Sequence, residues 1–312
     1  MSYIALYRKY RPQKFIDVVG QDHVKTTLLN ALSSSKVAHA YLFCGPRGVG
    51  KTTIGRLLAH SVNCEAIAKR KGESCDKCEP CKQISAGKTI DLIEIDAASN
   101  RGIDEIRELR EKVKYTPTNL KHLVFIIDEV HMLTIEAFNA LLKTLEEPPA
   151  HAIFILATTD PQKVPPTILS RCQRFDFKRL SRSELIGHLT DIAKKEKIKI
   201  SKEAIEIIAG QADGSSRDAL SLRGQVAVAY EGQKITAENL QSLLGLTQVE
   251  NINNFLLTVL RGKVKESLQL VNNFINDGYT PHQLTEDILK GLRKILLIKS
   301  VSELPESFEI EL

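Results

Sequence analysis

Nowhere in the 312 residues does an apolar run approach the roughly 18 residues that a membrane-spanning helix needs. The N-terminal stretch Met1–Lys9 lacks the apolar segment of a secretory leader, so a cytoplasmic address is expected, with no membrane partner. Internal repeats and long low-complexity linkers are missing as well, which excludes a solenoid or a flexible tether as the plan of the molecule. Neither sign of charge dominates. The 43 Lys and Arg exceed the 38 Asp and Glu by a formal +5, too little by itself to establish a nucleic-acid partner. What remains is the ordinary 43% hydrophobic, 26% charged composition of a globular chain with two or three domains. Cysteines number six, and four of them lie close together. In a cytoplasmic protein that grouping favours a metal over disulfides.

The strongest pattern is Gly45-Pro46-Arg47-Gly48-Val49-Gly50-Lys51-Thr52, a G-x-x-x-x-G-K-T run. The apolar stretch Ala40–Cys44 before it reads as a buried parallel strand, and Thr53–His60 after it has helical periodicity. Strand, glycine-rich loop and helix together form a phosphate cradle. Backbone N–H groups converge on the β- and γ-phosphates, Lys51 adds a mobile positive charge, and the Thr52 hydroxyl suits Mg2+. Residues Gly45 to Thr53 are therefore expected to bind ATP. Ahead of the loop, a segment rich in Tyr, Arg and Pro is expected to fold over the adenine. Tyr10, Pro12 and Val19 would pack the ring while Arg11 supplies a polar contact. A helix is then expected over Asp22–Ser34, with Asp22 at its N-cap.

Residues 63–89 read as an insertion carrying Cys64, Cys75, Cys78 and Cys81. Consecutive C-x-x-C spacings let thiolates turn around one ion, and four sulfurs complete a tetrahedral Zn2+ shell with no open position for catalysis. The flanks are polar and irregular, so metal binding is expected to supply the local stability. Cys44 and Cys172 stand apart and read as ordinary core or near-core cysteines.

Further strands are expected at Asp91–Ile95, His122–Ile127 and Ala152–Ala157, with a short fifth after Arg171. Asp128-Glu129 follows the third strand directly, which is the second half of a P-loop ATPase site. Asp128 would hold Mg2+ through its water shell and Glu129 would polarise the attacking water. Thr158-Thr159 ends the fourth strand, where ligands collect in an open parallel sheet. Either hydroxyl can sense the phosphate there, and Thr159 is preferred. From about Ser181 the pattern becomes helical: 181–196, 201–212, 216–230 and 236–244, then 249–260, 264–276 and 281–300. Arg217 opens one of these helices against the dipole preference, which a ligand phosphate would explain.

Taken together, Tyr7–Pro12, Gly45–Thr52, the four cysteines, Asp91–Ser99, Asp128–Leu133, Asn139–Pro149, Ala157–Gln162, Ile168–Cys172 and Gly214–Leu220 closely resemble the gamma/tau family of bacterial DNA polymerase III subunits, the motors of the clamp loader. The likeness is strong over residues 3–245 and weaker beyond. It implies an α/β AAA+ P-loop ATPase with a five-stranded parallel sheet over 1–180, a zinc-binding insertion at 63–89, a helical lid at 181–244 and a partial helical collar at 245–312. It gives Arg171, in Ser170-Arg171-Cys172, the role of an arginine finger reaching a neighbouring subunit's ATP. Arg217 becomes the lid arginine on the γ-phosphate of its own chain, and Arg101 and Lys143 are set toward DNA or the neighbouring site. The family's collar continues beyond residue 312, so polymerase and helicase tethering is not expected of these residues.

The function this implies is ATP-driven loading of a sliding clamp onto primed DNA in the nucleoid-associated cytoplasm. The expected partners are delta, delta-prime and further gamma/tau copies in a ring, the clamp, and primer–template DNA gripped through its backbone. A non-hydrolysing scaffold subunit of the same assembly is the first alternative, and intact Lys51, Thr52, Asp128 and Glu129 weigh against it. An AAA+ branch-migration motor is the second, opposed by the cysteine insertion and the Ser-Arg-Cys tripeptide. Polymerase chemistry is not expected, since the carboxylates belong to a nucleotide-hydrolysis site.

Overall fold

The computed structural model describes residues 5–230, 232–244, 249–276 and 278–300. The described residues open with one helical turn, α1 (Leu6–Lys9), which stops short of Pro12, and a 3-10 turn at Phe15–Asp17. Then follow α2 (Asp22–Ser33), β1 (Ala40–Cys44), α3 (Lys51–Val62), α4 (Glu79–Ser85), β2 (Leu92–Asp96) and α5 (Ile103–Val113). The sheet is completed by β3 (Leu123–Asp128), α6 (Ile135–Glu146), β4 (Ala152–Thr158), α7 (Pro166–Leu169) and β5 (Gln173–Asp176).

All pairings are parallel and the strand order is β2-β3-β4-β1-β5. Continuous apolar runs form the inner strands because helices cover both faces, leaving no side for water. Alternation splits each strand between two cores. Leu42, Phe125, Ile127, Phe154 and Leu156 pack with α5 and α6, while Tyr41, Phe43, Val124, Ile126 and Ile155 pack with α2 and α3. The register pairs Cys44 with Thr158 and Asp96 with Asp128. The carboxyl ends of β1, β3 and β4, where the glycine loop, Asp128 and Thr158 lie, therefore come to one edge of the sheet.

Asp22 is not the N-cap of α2. Gln21 holds that position in a left-handed conformation (φ 54°), and Asp22 is the first helical residue, paired with Lys25 at 2.7 Å. The reason is a contact across the sequence. The Gln21 amide donates to the Lys178 carbonyl at 2.6 Å and accepts from its N–H at 3.1 Å, fixing the backbone before the helix.

Helices follow: α8 (Arg182–Lys195), α9 (Lys202–Gln211), α10 (Ser216–Ala229), α11 (Ala237–Leu244), α12 (Val249–Leu260), α13 (Val264–Asn276) and α14 (Pro281–Ser300). The chain divides into two compact units. Among the described residues, one comprises those up to 192 together with 211–224, and the other comprises 193–210 and those from 225 on. Residues 181–192 and 211–224, at the start and middle of the helical region, thus belong with the sheet. In the second unit Ile252, Phe255, Leu256, Phe274 and Leu284 make a small core, with Phe274 edge-on to Tyr279 at 5.8 Å. Among the described residues no helix is long and apolar enough to cross a membrane.

Candidate functional site

Three glycines of the loop occupy backbone conformations that side chains avoid: Gly45 (φ 146°), Gly48 (φ 75°) and Gly50 (φ 103°). Two are also closed off by neighbours. A Cβ on Gly45 would strike the Phe177 carbonyl, and one on Gly48 would overlap the Ser215 hydroxyl at the start of α10. Lys51, the first residue of α3, is 6% exposed and donates to the Gly45 and Pro46 carbonyls at 2.7 Å each. Burial pushes the pKa of its ammonium below the usual lysine range, and the carboxylates of Glu129 and Asp128 push the other way.

The two residues expected to share Mg2+ touch directly: the Thr52 hydroxyl donates to Asp128 Oδ2 at 2.7 Å. Asp128 Oδ1 accepts the N–H of Glu129 at 3.0 Å. Glu129 adopts a left-handed backbone (φ 48°), a strained choice for a side chain of that length and one that recurs at functional positions. Its Oε2 accepts from the Thr159 hydroxyl at 2.9 Å and the Thr159 N–H at 3.3 Å, and lies 3.4 Å from His131 Nδ1. Thr158 is turned the other way. It is fully buried, its hydroxyl 3.0 Å from His131 Nδ1, and it accepts the Asp160 N–H. Of the two threonines, Thr159 is the one that reaches Glu129.

A cavity beside these groups is lined by Tyr10, Arg11, Pro12 and Val19 of the N-terminal arm, by Arg47 to Thr53, by Asp128 and Glu129, and by Arg217. Gly45 and Pro46 stay behind its wall, where their carbonyls hold Lys51. The N–H of Arg217 reaches the Gly48 carbonyl at 3.4 Å, and its guanidinium stands 5.2 Å from the Tyr7 ring centre. Arg171 does not line the cavity. It pairs with Glu146 at 2.6 Å and donates to the Thr167 carbonyl at 2.8 Å, leaving about a third of its side chain exposed. The cavity also takes Tyr7, Asp17, Val18, Leu180, His188, Ser216 and Leu220, none expected from the sequence. For Tyr7 a signal exists in its aromatic and basic neighbourhood, and for Ser216 and Leu220 in the Gly214–Leu220 stretch around Arg217; for His188 there is none, since only the fold brings it in.

The ligand atoms of Cys64, Cys75, Cys78 and Cys81 all lie within 4.8 Å of one another. A tetrahedron with Zn–S bonds of about 2.3 Å has sulfur–sulfur edges near ~3.8 Å. Cys75 and Cys81 are 3.8 Å apart, so the donor set fits that ion. Backbone N–H groups support the sulfurs, Cys75 donating to Cys64 Sγ at 3.3 Å and Cys78 and Lys77 to Cys75 Sγ at 3.3 and 3.4 Å. The Cys78 and Lys77 donors bring the Cys75 thiol down to about 6, whereas burial raises Cys64 and Cys81. Cys44 is buried in β1, and burial pushes the Cys172 thiol up to about 12.

Residues 20–181 match the family described as DNA polymerase III, delta subunit. Residues 184–233 match the clamp loader subunit ATPase lid domain, and 235–311 match domain III of subunits gamma and tau. The chain is 49% identical to the tau subunit of Bacillus subtilis, over 96% of its own length and 53% of that protein. To the tau subunit of Escherichia coli it is 43% identical, over 96% of its length and 46% of the relative. With the gamma subunit of Buchnera aphidicola it shares 42% identity, and there the alignment covers 82% of the relative. The chain thus spans about half the length of the two tau subunits. Among solved structures, the Thermotoga maritima RuvB Holliday junction branch migration motor superposes with a TM-score of 0.57 at 19% identity, over 80% of this chain and 79% of that one. That likeness is one of fold alone. With its P-loop, its Asp128-Glu129 pair and a match running the length of the sheet unit, the chain belongs to the gamma/tau family of DNA polymerase III subunits.

Proposed function

We propose that the chain is an ATP-hydrolysing motor subunit of a bacterial clamp loader. The observation that carries this reading is the connected series Thr52–Asp128–Glu129–Thr159 at the carboxyl edge of the sheet, beside a glycine loop with a buried lysine. Loop N–H groups and Lys51 would bind the β- and γ-phosphates of Mg·ATP, with Thr52 and Asp128 holding the metal of that substrate. Magnesium would neutralise charge on the phosphates and fix their geometry. Glu129, with one carboxylate oxygen engaged by Thr159, presents the other to a water in line with the γ-phosphate. A positioned base of this kind contributes about 10^2–10^4 in rate.

Arg217, anchored beside Gly48, would read the γ-phosphate from its own chain. Arg171 stands outside its own cavity, and that placement supports a finger offered to a neighbouring subunit, worth roughly 10^3–10^5 in rate. The ring would comprise delta, delta-prime and further gamma/tau copies in the bacterial cytoplasm. It would open a sliding clamp and hold primer–template DNA through backbone phosphates, a grip that ignores sequence and weakens with salt. The four cysteines would hold a structural Zn2+.

Steady-state ATP hydrolysis tests this, with partner subunits, clamp and primed DNA each omitted in turn. Strong stimulation that requires clamp and primed DNA together supports clamp loading. Hydrolysis absent under every condition would leave a scaffold subunit, and stimulation by junction DNA without a clamp would point to a branch-migration motor.

A further inference from the structure

The N-terminal arm makes one wall of the nucleotide cavity, yet no strand of the sheet pairs with it. Its 3-10 turn at Phe15–Asp17 has no cap of its own, because Lys14 at the cap position offers no side-chain acceptor. The first N–H groups of such a turn need partners from elsewhere. Here both come from Glu73 in the cysteine insertion. One carboxylate oxygen accepts the Phe15 N–H at 3.2 Å and the other accepts the Ile16 N–H at 3.0 Å. A second tie lies next to it, Lys14 to Asp76 at 3.3 Å. Hydrogen bonds to a charged acceptor are the stronger kind, and two on one carboxylate also fix an angle.

The insertion is itself anchored. Gly72, with φ 88°, lets the chain pass so close to Leu29 of α2 that a Cβ there would come within 2.7 Å of the Leu29 carbonyl. Between the two arm-binding carboxylates stands Cys75, whose sulfur accepts two backbone N–H groups and belongs to the four-cysteine cluster. Wherever the cluster holds Cys75, Glu73 and Asp76 are held with it. Phe15, fully buried in the sheet's core, completes the path from insertion to arm.

We propose that the cysteine insertion is a strut for the nucleotide-binding arm: Glu73 and Asp76 are positioning residues that fix residues 14–16, and through them the wall from Tyr10 to Val19. The inference rests on the reading of the cavity as the ATP site. With the strut intact the arm is ordered before ATP arrives; without it, binding must supply that ordering, so affinity falls. Lys51, at the start of α3, and Asp128 and Glu129, at the end of β3, take their positions from the loop and the sheet and not from the arm, so turnover at saturating ATP is unaffected.

The experiment uses the intact protein with its zinc, as wild type, Glu73→Gln and Glu73→Ala. Its readouts are bound metal, equilibrium binding of a fluorescent ATP analogue, kcat and KM for ATP, and hydrogen exchange of the arm. In Glu73→Ala the Kd and KM are expected to rise about five- to tenfold with kcat within about twofold, while residues 10–19 exchange faster and zinc stays bound. Glu73→Gln keeps a carbonyl acceptor and is expected to fall between Ala and wild type, which separates loss of the contact from loss of the fold. Removing zinc from wild type with a chelator should reproduce the weaker binding, and removing it from Glu73→Ala should add nothing further. Unchanged Kd and exchange in Glu73→Ala would overturn the strut, as would losses that simply add. Failure of the wild type to bind the analogue would instead sink the reading of the cavity itself.

Discussion

Glu129 owes its position to neighbours on both sides, the Asp128 carboxylate behind its N–H and Thr159 on one of its oxygens. On the role proposed for Glu129, the change Glu129→Gln keeps the shape and removes the proton acceptor. It should bind ATP with near wild-type affinity while hydrolysis falls at least about 100-fold, measured by single-turnover kinetics beside equilibrium binding. Thr159→Val removes the orienting hydroxyl alone and should lower kcat by about tenfold with KM unchanged. A different chemistry belongs to the cysteines. Once metal is stripped, Cys75, held down to about 6 by two N–H donors, should be the first of the four alkylated near neutral pH. The sign follows from the thiolate fraction: labelling fades as pH drops below about 6, while Cys64 and Cys81, raised by burial, stay slow at neutral pH. Peptide mass spectrometry checks this. The glycine loop, Asp128-Glu129 and the cysteines were legible because each is a short pattern whose spacing carries its own chemistry. The structure separates the two threonines: β4 ends at Thr158, whose hydroxyl turns to His131, and Thr159 just beyond it reaches Glu129. The contacts of Tyr7 and Glu73 are not legible in the sequence, because their partners, Arg217 and the Phe15–Ile16 backbone, lie far away along it; His131, two residues after Glu129, carries a local signal.

At the scale of elements, β1, β3 and β4 announced themselves as apolar runs, and each is buried along nearly its whole length. β2, at the edge, is half open, and its charged Glu94 pairs with Arg56 of α3 at 2.5 Å. Helix limits in the helical region fell within a residue or two of the observed ones, since amphipathic spacing and short breaks define them locally. The cap of α2 was misread, because the Gln21–Lys178 pair that decides it spans most of the sheet unit. A similar long-range contact determines the turn before β3. Buried Asp91 accepts the N–H groups of Thr118, Asn119 and Leu120 at 2.8–3.0 Å, and Asp91→Ala would leave three donors with nothing to replace it. The cost should be about 3 kcal/mol, seen as a lowered midpoint in thermal or urea unfolding, with the P-loop itself untouched.

For the molecule as a whole, the residue to test is the proposed finger Arg171, which lies outside the cavity of its own chain. Arg171→Ala should leave ATP binding to the isolated chain intact, yet reduce clamp- and DNA-stimulated hydrolysis in the assembled ring by about 10^3-fold. Mixing the variant with wild-type subunits would then assign the defect to the neighbour's site. The charge of +5 gives no hint of such a role, and the finger proposed for Arg171 rests on the Ser-Arg-Cys resemblance together with its place outside the cavity. One last consequence concerns the length of the insertion. Asn63, the first residue of the insertion, accepts the His122 N–H at 2.7 Å, and Asp91, just after it, grips residues 118–120. The excursion therefore departs from and rejoins the framework at the same stretch of chain. A change of length confined to the segment between these two anchors would leave the strands and their register in place, so the excursion can vary in size as a unit apart from the sheet.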